Sequence, residues 1–454
     1  MVGKNLLSET LSDSQNKKTM IEVFGLGYIG LPLAIRLAAS GWKVTGIDIS
    51  QDRVRRLEQN NLMESELHQK KEFLECRNNK SLSFSAKPQK NTNSKIGIIC
   101  VPTPIPTPEK KSDFFVNSAV NDFLNTSKKG DVIIIESSIE VGTTENIQKI
   151  IESKAFKVGE DFGLVFCPER IDPQNKKWQL ENIPRVIYAS DDITFNIAQN
   201  IYHYVNNSNL FRVNSPKVAE VVKSFENTFR LVNISLVNEL AILCDHLQIN
   251  VHDVIKAAST KPFGFMPFYS GAGAGGHCIP KDPSFLLESS KKFGFEFKII
   301  SAALKINNFL PQYISQSINE LFNEHKLEKK IIVCGMSYKP DIEDMRDSPG
   351  FKISDELLKL KFSVSVFDPY FKKELLGKYL QENHLENNNF EILDNLDDST
   401  IRPFNGICVV QHHSKTKMRL KQIYKNSSIK IIYDCQNKLL FNHNSKSILK
   451  SLGR

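Results

Sequence analysis

Short runs of consecutive apolar residues alternate along this chain with stretches whose apolar positions recur every three or four residues. The runs are MIEVF at 20–24, KVTGID at 43–48, KIGIICV at 95–101, DVIIIE at 131–136 and GLVFC at 163–167. Residues 28–40 carry helical spacing. Continuous apolar runs joined by helices predict a parallel sheet buried on both faces. From about 214 the pattern becomes helical, with one long helix predicted over 216–246 and others over 251–258 and 298–324. Between them, 260–283 is rich in Gly and Pro, and a loop of that length is usually functional. Strands resume at 330–335, 362–367, 406–410 and 429–434, while polar 381–400 reads as a surface segment. The expected fold class is α/β, with two domains of parallel strands joined by a central helical domain. The expected boundaries are a loose tail at 1–19, then 20–213, 214–325 with its long connecting helix, and 326–454.

Composition narrows the function classes. Of 454 residues, 41% are apolar and 24% charged, as in an ordinary globular protein. The net charge of +8 suits small anions and is too mild to argue for nucleic acid. No run approaches the roughly 18–20 apolar residues of a membrane span, and residues 1–19 lack the apolar core of a signal peptide. The cysteines are scattered without a CxxC pair, which suits a reducing cytoplasm. Most sit in apolar runs. Cys278 does not.

Gly25-Leu26-Gly27-Tyr28-Ile29-Gly30 follows one predicted strand and opens a helix. Gly25 permits the tight turn, Gly27 the approach of a pyrophosphate, and Gly30 close helix–strand packing. Tyr28 and Ile29 lie at the helix N-terminus, whose free N–H groups attract phosphate. Asp48 ends the next strand, where its carboxylate would accept from ribose hydroxyls and repel a 2′-phosphate. The expected cofactor is therefore NAD. Arg53 nearby is a candidate for phosphate or adenine, and Thr103, in Val101-Pro102-Thr103-Pro104, for a further cofactor contact.

Residues 271–283 read Gly-Ala-Gly-Ala-Gly-Gly-His-Cys-Ile-Pro-Lys-Asp-Pro. Small residues let backbone wrap a ligand closely. Lys281 and Lys223 supply positive charge that favours a Cys278 thiolate, the form that attacks a carbonyl carbon. No metal is expected: His277 and Cys278 are adjacent, and no second Cys/His pair has ligand spacing.

GLGYIGLPLA, VPTP, CPER, KSFENTFR, GAGGHCIPKDP and SYKPDIEDMRDSP together resemble, in order and over about 20–440, the UDP-sugar 6-dehydrogenases of the UDP-glucose/GDP-mannose dehydrogenase family. The resemblance implies two Rossmann-like domains with parallel sheets bridged by a long helix, the first domain for NAD and the third for the UDP-sugar, and oxidation of a sugar C6 alcohol to a carboxylate with two NAD. It implies Cys278 as the nucleophile of a thiohemiacetal and a thioester. Lys223 and Asn227, four apart on the long helix, match residues that steady an oxyanion and orient the hydroxyl. Asp282 matches an aspartate that holds a water and that lysine, and is a base candidate. Glu169, in Cys167-Pro168-Glu169-Arg170, matches a glutamate of thioester hydrolysis and substrate contact, with Arg170 beside it. Ser138 stands where the family commonly has threonine, and Glu140 where it has proline. Lys339 matches a lysine that contacts the UDP-sugar, and Arg346 an arginine that reaches toward the cofactor. Phe268, Tyr269, Gly273 and Gly276 complete the implied substrate contacts.

Gly275-Gly276-His277-Cys278 preceded by KPFGFMPFY resembles the branch that acts on UDP-N-acetylhexosamines. UDP-glucose enzymes more often place serine, asparagine or tyrosine before the cysteine. The implied activity is UDP-N-acetylglucosamine 6-dehydrogenase, supplying a precursor of surface polysaccharide. The alternatives are the manno and galacto epimers, then UDP-glucose, and more remotely a one-step β-hydroxyacid-type dehydrogenase or a non-enzymatic NAD sensor. The implied partners are a UDP-sugar and further copies of the chain, in a homodimer or higher oligomer through the central helices. Nucleic acid and membrane are not expected, and the expected location is the cytoplasm.

Overall fold

The computed structural model describes residues 6–454 except 91–92, 105–111, 172–174, 176, 277–278, 372, 383–389, 427, 440–444 and 446. The chain divides into two compact units. One holds residues up to Glu226 together with Ser284–Phe295, the other Asn227–Pro283 and Glu296–Arg454. The helix Pro216–Leu247 contributes residues up to Glu226 to the first unit and the rest to the second. The central helical domain expected over 214–325 is thus shared between the two units, because its helices bury their apolar faces against different sheets.

In the first unit the strands are Met20–Phe24 (β1), Lys43–Ile47 (β2), Leu82–Ser85 (β3), Lys95–Ile99 (β4), Val132–Ile135 (β5), Gly163–Phe166 (β6), Arg185–Ala189 (β7) and Leu210–Arg212 (β8). They lie in the order β3-β2-β1-β4-β5-β6-β7-β8. Pairing is parallel as far as β6. β7 then runs antiparallel to β6 at the edge of this parallel sheet, and β8 pairs parallel to β7. Ile133, Ile134 and Ile135 on β5 are fully buried, as a run covered on both faces requires. The glycine turn follows β1, the innermost strand of the order reversal, where α/β sheets bind ligands at their carboxyl edge.

The second unit has a six-stranded parallel sheet. Its strands are Lys330–Cys334 (β9), Ser363–Phe367 (β10), Glu391–Ile392 (β11), Gly406–Val409 (β12), Ile431–Asp434 (β13) and Ile448–Ser451 (β14), in the order β11-β10-β9-β12-β13-β14. The helix Lys298–Glu324 packs Leu310, Ile314, Ile318 and Phe322 into its core.

The N-terminus corrects an expectation. Leu6–Gln15 is a helix packed on the first unit, not a loose tail. Leu7 is fully buried, Thr10 Oγ1 donates to the Gly130 carbonyl at 2.6 Å, and Asn200 Nδ2 donates to Ser14 Oγ at 2.9 Å. Its few apolar residues are too widely spaced among polar ones to signal burial from sequence. Of 381–400, the described part holds β11 and a short helix Asp398–Ile401.

Candidate active site

The glycine turn separates into two kinds of requirement. At Gly30 an added Cβ would stand 1.9 Å from the Gly25 carbonyl, and at Gly25, with φ +87°, 2.7 Å from the Cys100 carbonyl. Both glycines are demanded by the protein's own packing. At Gly27 an added Cβ meets nothing within 4 Å. Only something beyond the chain's own atoms would require glycine there, and a pyrophosphate on the helix N-terminus is such a group. Asp48 accepts from the Leu26 N–H and from the Ser50 N–H, each at 2.9 Å, and stays half-exposed. Its oxygens keep lone pairs for ribose hydroxyls, so the residues present fit NAD.

Arg53 contacts the glycine turn itself. Its guanidinium donates to the Leu26 carbonyl at 3.0 and 2.8 Å and pairs with Glu66, so it braces the glycine turn. Tyr28 is exposed, Ile29 precedes the helix Gly30–Ala39, and Thr103 is buried after β4. Ser138 is half-buried beyond β5. Its neighbour Ser137 donates to the Val101 carbonyl at 2.8 Å.

The same unit holds Glu169, Arg170 and Lys223. Arg170 pairs with Glu226 on the long helix and donates to the Pro184 carbonyl at 2.8 Å. Burial pushes the Glu169 carboxyl above its usual range. The charges of Lys223 and Arg185 and the Ile171 N–H oppose that without cancelling it. Sequence reading missed the support beneath. Arg185 is fully buried with Nη1 2.9 Å from Glu136 Oε1, which also accepts from the Tyr202 hydroxyl at 2.6 Å. The backbone N–H of Glu169 reaches the Glu136 carbonyl at 3.4 Å. A charged residue opening an apolar strand, Arg185 before Val-Ile-Tyr-Ala, was the available signal.

In the second unit the loop before the cysteine is fixed from several sides. His277 and Cys278 lie outside the described residues. Asn307 Oδ1 accepts from the Ala274 N–H at 2.6 Å, and its Nδ2 donates to the Ala274 carbonyl at 3.0 Å. Pro311, four residues on in the helix, has no N–H for the Asn307 carbonyl. Gly273, with φ +116°, passes that point, where a Cβ would stand 3.4 Å from the Asn307 carbonyl oxygen. The loop thus packs where the helical ladder is interrupted. At Gly275 a Cβ would meet the Asp347 carbonyl at 2.6 Å, and at Gly276 the Tyr338 ring at 2.6 Å. The Gly276 N–H donates to the Arg346 carbonyl at 2.9 Å. These glycines exist so that the cysteine loop can lie on the Tyr338–Asp347 segment. An asparagine on an apolar helix face, Asn307, was the clue that sequence reading passed over.

Asn227 Nδ2 donates to Asp282 Oδ2 at 2.6 Å, and Lys281 Nζ lies 3.7 Å from Asp282 Oδ1. Asp282 and Lys281 are buried. A buried carboxylate that accepts from an amide is arranged to hold a polar group in place. Lys339 is half-buried on the turn after β9, and Arg346 is exposed with its guanidinium on Asp344 at 2.6 Å. Phe268 packs edge-on to Phe229, with centroids 6.0 Å apart. Tyr269 borders a cavity of about 480 Å³ lined also by Asn238, His252, Ser270, Gly273 and Gln436. Asn238 Nδ2, His252 Nε2, Ser270 Oγ and Gln436 Oε1 are buried there without a hydrogen-bond partner among the described residues. Buried polar atoms rarely go unpaired, so this set is matched to a polar ligand.

Sequence models of the UDP-glucose/GDP-mannose dehydrogenase family match the chain in series: the NAD binding domain over 19–206, the central domain over 217–309 and the UDP binding domain over 332–440. The chain belongs to the UDP-glucose/GDP-mannose dehydrogenase family. As a member of it, the protein is an NAD-dependent UDP-sugar dehydrogenase, with the glycine turn in its NAD binding domain and the Lys339 turn in its UDP binding domain. It is 35% identical over 438 residues to the UDP-N-acetyl-D-mannosamine dehydrogenase of Methanococcus aeolicus, covering 95% of this chain and 93% of that protein. It is 32% identical over 365 residues to the UDP-N-acetyl-D-glucosamine 6-dehydrogenase of Pseudomonas aeruginosa, covering 79% and 84%. The solved UDP-D-ManNAc dehydrogenase of Pyrococcus horikoshii superposes with a TM-score of 0.83 at 28% identity, covering 96% of this chain and 99% of that one. No helix among the described residues is long and apolar enough to cross a membrane.

Proposed function

We propose that this family member is a UDP-N-acetylhexosamine 6-dehydrogenase that makes a uronate precursor of surface polysaccharide. The observation that carries the reading is the packing of the cysteine loop, through Gly275 and Gly276, on the UDP binding domain's own Tyr338–Asp347 segment. UDP-N-acetylmannosamine is placed first and the gluco epimer second. Motifs around Cys278 had favoured the gluco epimer. The longer matched span of the mannosamine relative and the fit to the Pyrococcus structure support the manno epimer instead.

The roles follow from the chemistry. Asp282 takes the C6 hydroxyl proton, and NAD when bound accepts each hydride. Loss of the first hydride gives an aldehyde. The Cys278 thiolate adds to its carbon, and Lys223 and Asn227 donate to the oxygen that becomes negative. Loss of a second hydride leaves a thioester. Water, activated by Glu169, adds to it, the C–S bond breaks, and the carboxylate leaves with the thiolate restored. Serine at position 278 would be a poorer nucleophile and a poorer leaving group, so cysteine lets the acyl bond form and then break when water adds. Lys339 meets the diphosphate, Arg346 the cofactor side, and the 480 Å³ cavity the nucleoside side.

We infer a homodimer or higher oligomer, since Phe229, Leu236, Leu243 and Leu247 are exposed on the long helix. A reducing cytoplasm suits the seven described cysteines, all of them free.

The deciding experiment measures NADH formed per UDP-sugar consumed, across the manno, gluco and galacto N-acetylhexosamines and UDP-glucose. Two NADH with an N-acetylated sugar is the expected result. One NADH would end the four-electron scheme, and turnover of UDP-glucose alone would end the substrate assignment. Cys278→Ser should bind UDP and release no acid. Normal turnover in that variant would remove the thioester.

A further inference from the structure

Resting on the reading that Lys339 meets the substrate diphosphate, we propose that His413, paired with Asp368, is a positioning residue that holds the Ser337–Asp341 turn so that Lys339 is presented to it. Both side chains are fully buried. They sit just beyond β12 and β10, the strands that flank β9, whose end carries the turn. The two nitrogens of the ring grip the turn on either side of Lys339. Nδ1 accepts from the Asp341 N–H at 2.9 Å, which leaves the ring proton on Nε2. Nε2 lies 3.1 Å from Asp368 Oδ2 and 3.2 Å from Ser337 Oγ.

The rest of the turn is tied in the same way. Asp368 Oδ2 accepts from the N–H groups of Met336 and Ser337 at 2.7 and 3.0 Å, and from Ser337 Oγ at 3.1 Å. Gln411 Nε2 donates to the Tyr338 carbonyl at 2.9 Å. Asp341 holds a left-handed φ of +59°, a conformation that costs a non-glycine residue energy. It is held there by His413 on its N–H, and by Ser414 and Tyr370 on its carboxylate.

Core packing alone does not call for this arrangement. A buried imidazole–carboxylate pair costs desolvation that an apolar pair would not, and it is kept where geometry must be fixed. Of the residues from Met336 to Asp341, this lattice fixes the backbone on both sides of Lys339. A lysine held on a rigid turn loses less freedom on meeting a diphosphate than one on a mobile loop.

The test uses full-length enzyme, with UDP binding followed by calorimetry and UDP-sugar oxidation by steady-state kinetics. Wild type should bind UDP. His413→Ala should raise the UDP Kd and the UDP-sugar KM about tenfold or more, with kcat falling less than KM rises and the NAD Kd within about twofold. Ser337→Ala should move the same parameters by a smaller factor. His413→Asn, whose Oδ1 can still accept from the Asp341 N–H, should recover part of the loss. On a Lys339→Ala background, His413→Ala should add little, since the lysine it presents is gone.

Losses that multiply in the double variant would overturn the proposal. So would an equal loss in UDP and NAD binding. If His413→Ala does not fold, His413→Asn and Ser337→Ala decide by the same KM-against-kcat split. Unchanged UDP binding in every variant of a UDP-binding wild type sinks the clamp alone. A wild type that does not bind UDP sinks the Lys339 reading and the clamp with it.

Discussion

Two glycines of one motif answer to different masters, and substitution separates them. Gly30→Ala forces a Cβ to 1.9 Å from a carbonyl oxygen, so it should destabilise the first unit by at least ~1–3 kcal/mol and lower the melting temperature. Gly27→Ala enters open space and should melt within a degree or two of wild type, while NAD affinity falls about tenfold or more. A Gly27→Ala protein with full NAD affinity would detach that glycine from the pyrophosphate. Glu169 gives a prediction in pH. Its folded-state pKa is raised, chiefly by burial, above an unfolded value near about 4.3. The folded state therefore binds more protons in that window, and stability falls as pH rises through it. Glu169→Gln, which keeps an acceptor for the Ile171 N–H, should raise the melting temperature at neutral pH. The gain should vanish below about pH 4, and a pH-independent difference would refute the assignment. At this scale the candidates Gly27, Asp48, Lys223, Asn227 and Asp282 could be named from sequence because they belong to local spacings. The bracing contacts of Arg53 were not legible, since nothing in sequence says that its partners are Leu26 and Glu66. The pairings of Arg185 and His413 could not be read locally: their partners Glu136 and Asp368 lie 49 and 45 residues away.

Among the elements, the long helix is where sequence and structure agree most closely, predicted at 216–246 and found at Pro216–Leu247. A helix of that length is fixed by uninterrupted local periodicity. β3, β7, β8, β11 and β14 were not foreseen, being short runs whose pairing is decided by neighbours far along the chain. The helix Leu6–Gln15 was missed for the same reason, since its burial depends on Gly130 and Asn200. The long helix also leaves something over. Phe229, Leu236 and Leu243 recur every seven residues and remain exposed, a stripe of the kind one helix offers another. Charging it with Leu236→Glu and Leu243→Glu should lower the mass found by sedimentation to that of a single chain, with the melting temperature falling as the dimer is lost. An unchanged mass would place the contact between copies elsewhere.

Across the whole molecule, the same turn has been built twice and used differently. After β1 the Leu26 N–H bonds Asp48 at the end of β2, and after β9 the Met336 N–H bonds Asp368 at the end of β10. Asp48 is half-exposed, with lone pairs to spare for a ribose. Asp368 is buried, its Oδ2 occupied by Met336, Ser337 and His413 and its Oδ1 by the Tyr370 N–H. The second turn has closed the place where a dinucleotide ribose would lie and has spent its aspartate on shaping the Lys339 loop. On the proposed function, two nucleotides are read by different means, one by a carboxylate and the other by a fixed turn and a cavity. Asp48→Ala should accordingly weaken NAD about tenfold or more while leaving the UDP Kd within about twofold. Asp368→Asn, which cannot accept from all those donors, should lower the melting temperature and weaken UDP while NAD binding holds. Calorimetric titration of both ligands into both variants checks the pair. Equal loss of NAD and UDP in either would mean that the two turns are not separate reading heads, and that Asp48 and Asp368 serve only the common stability of the chain.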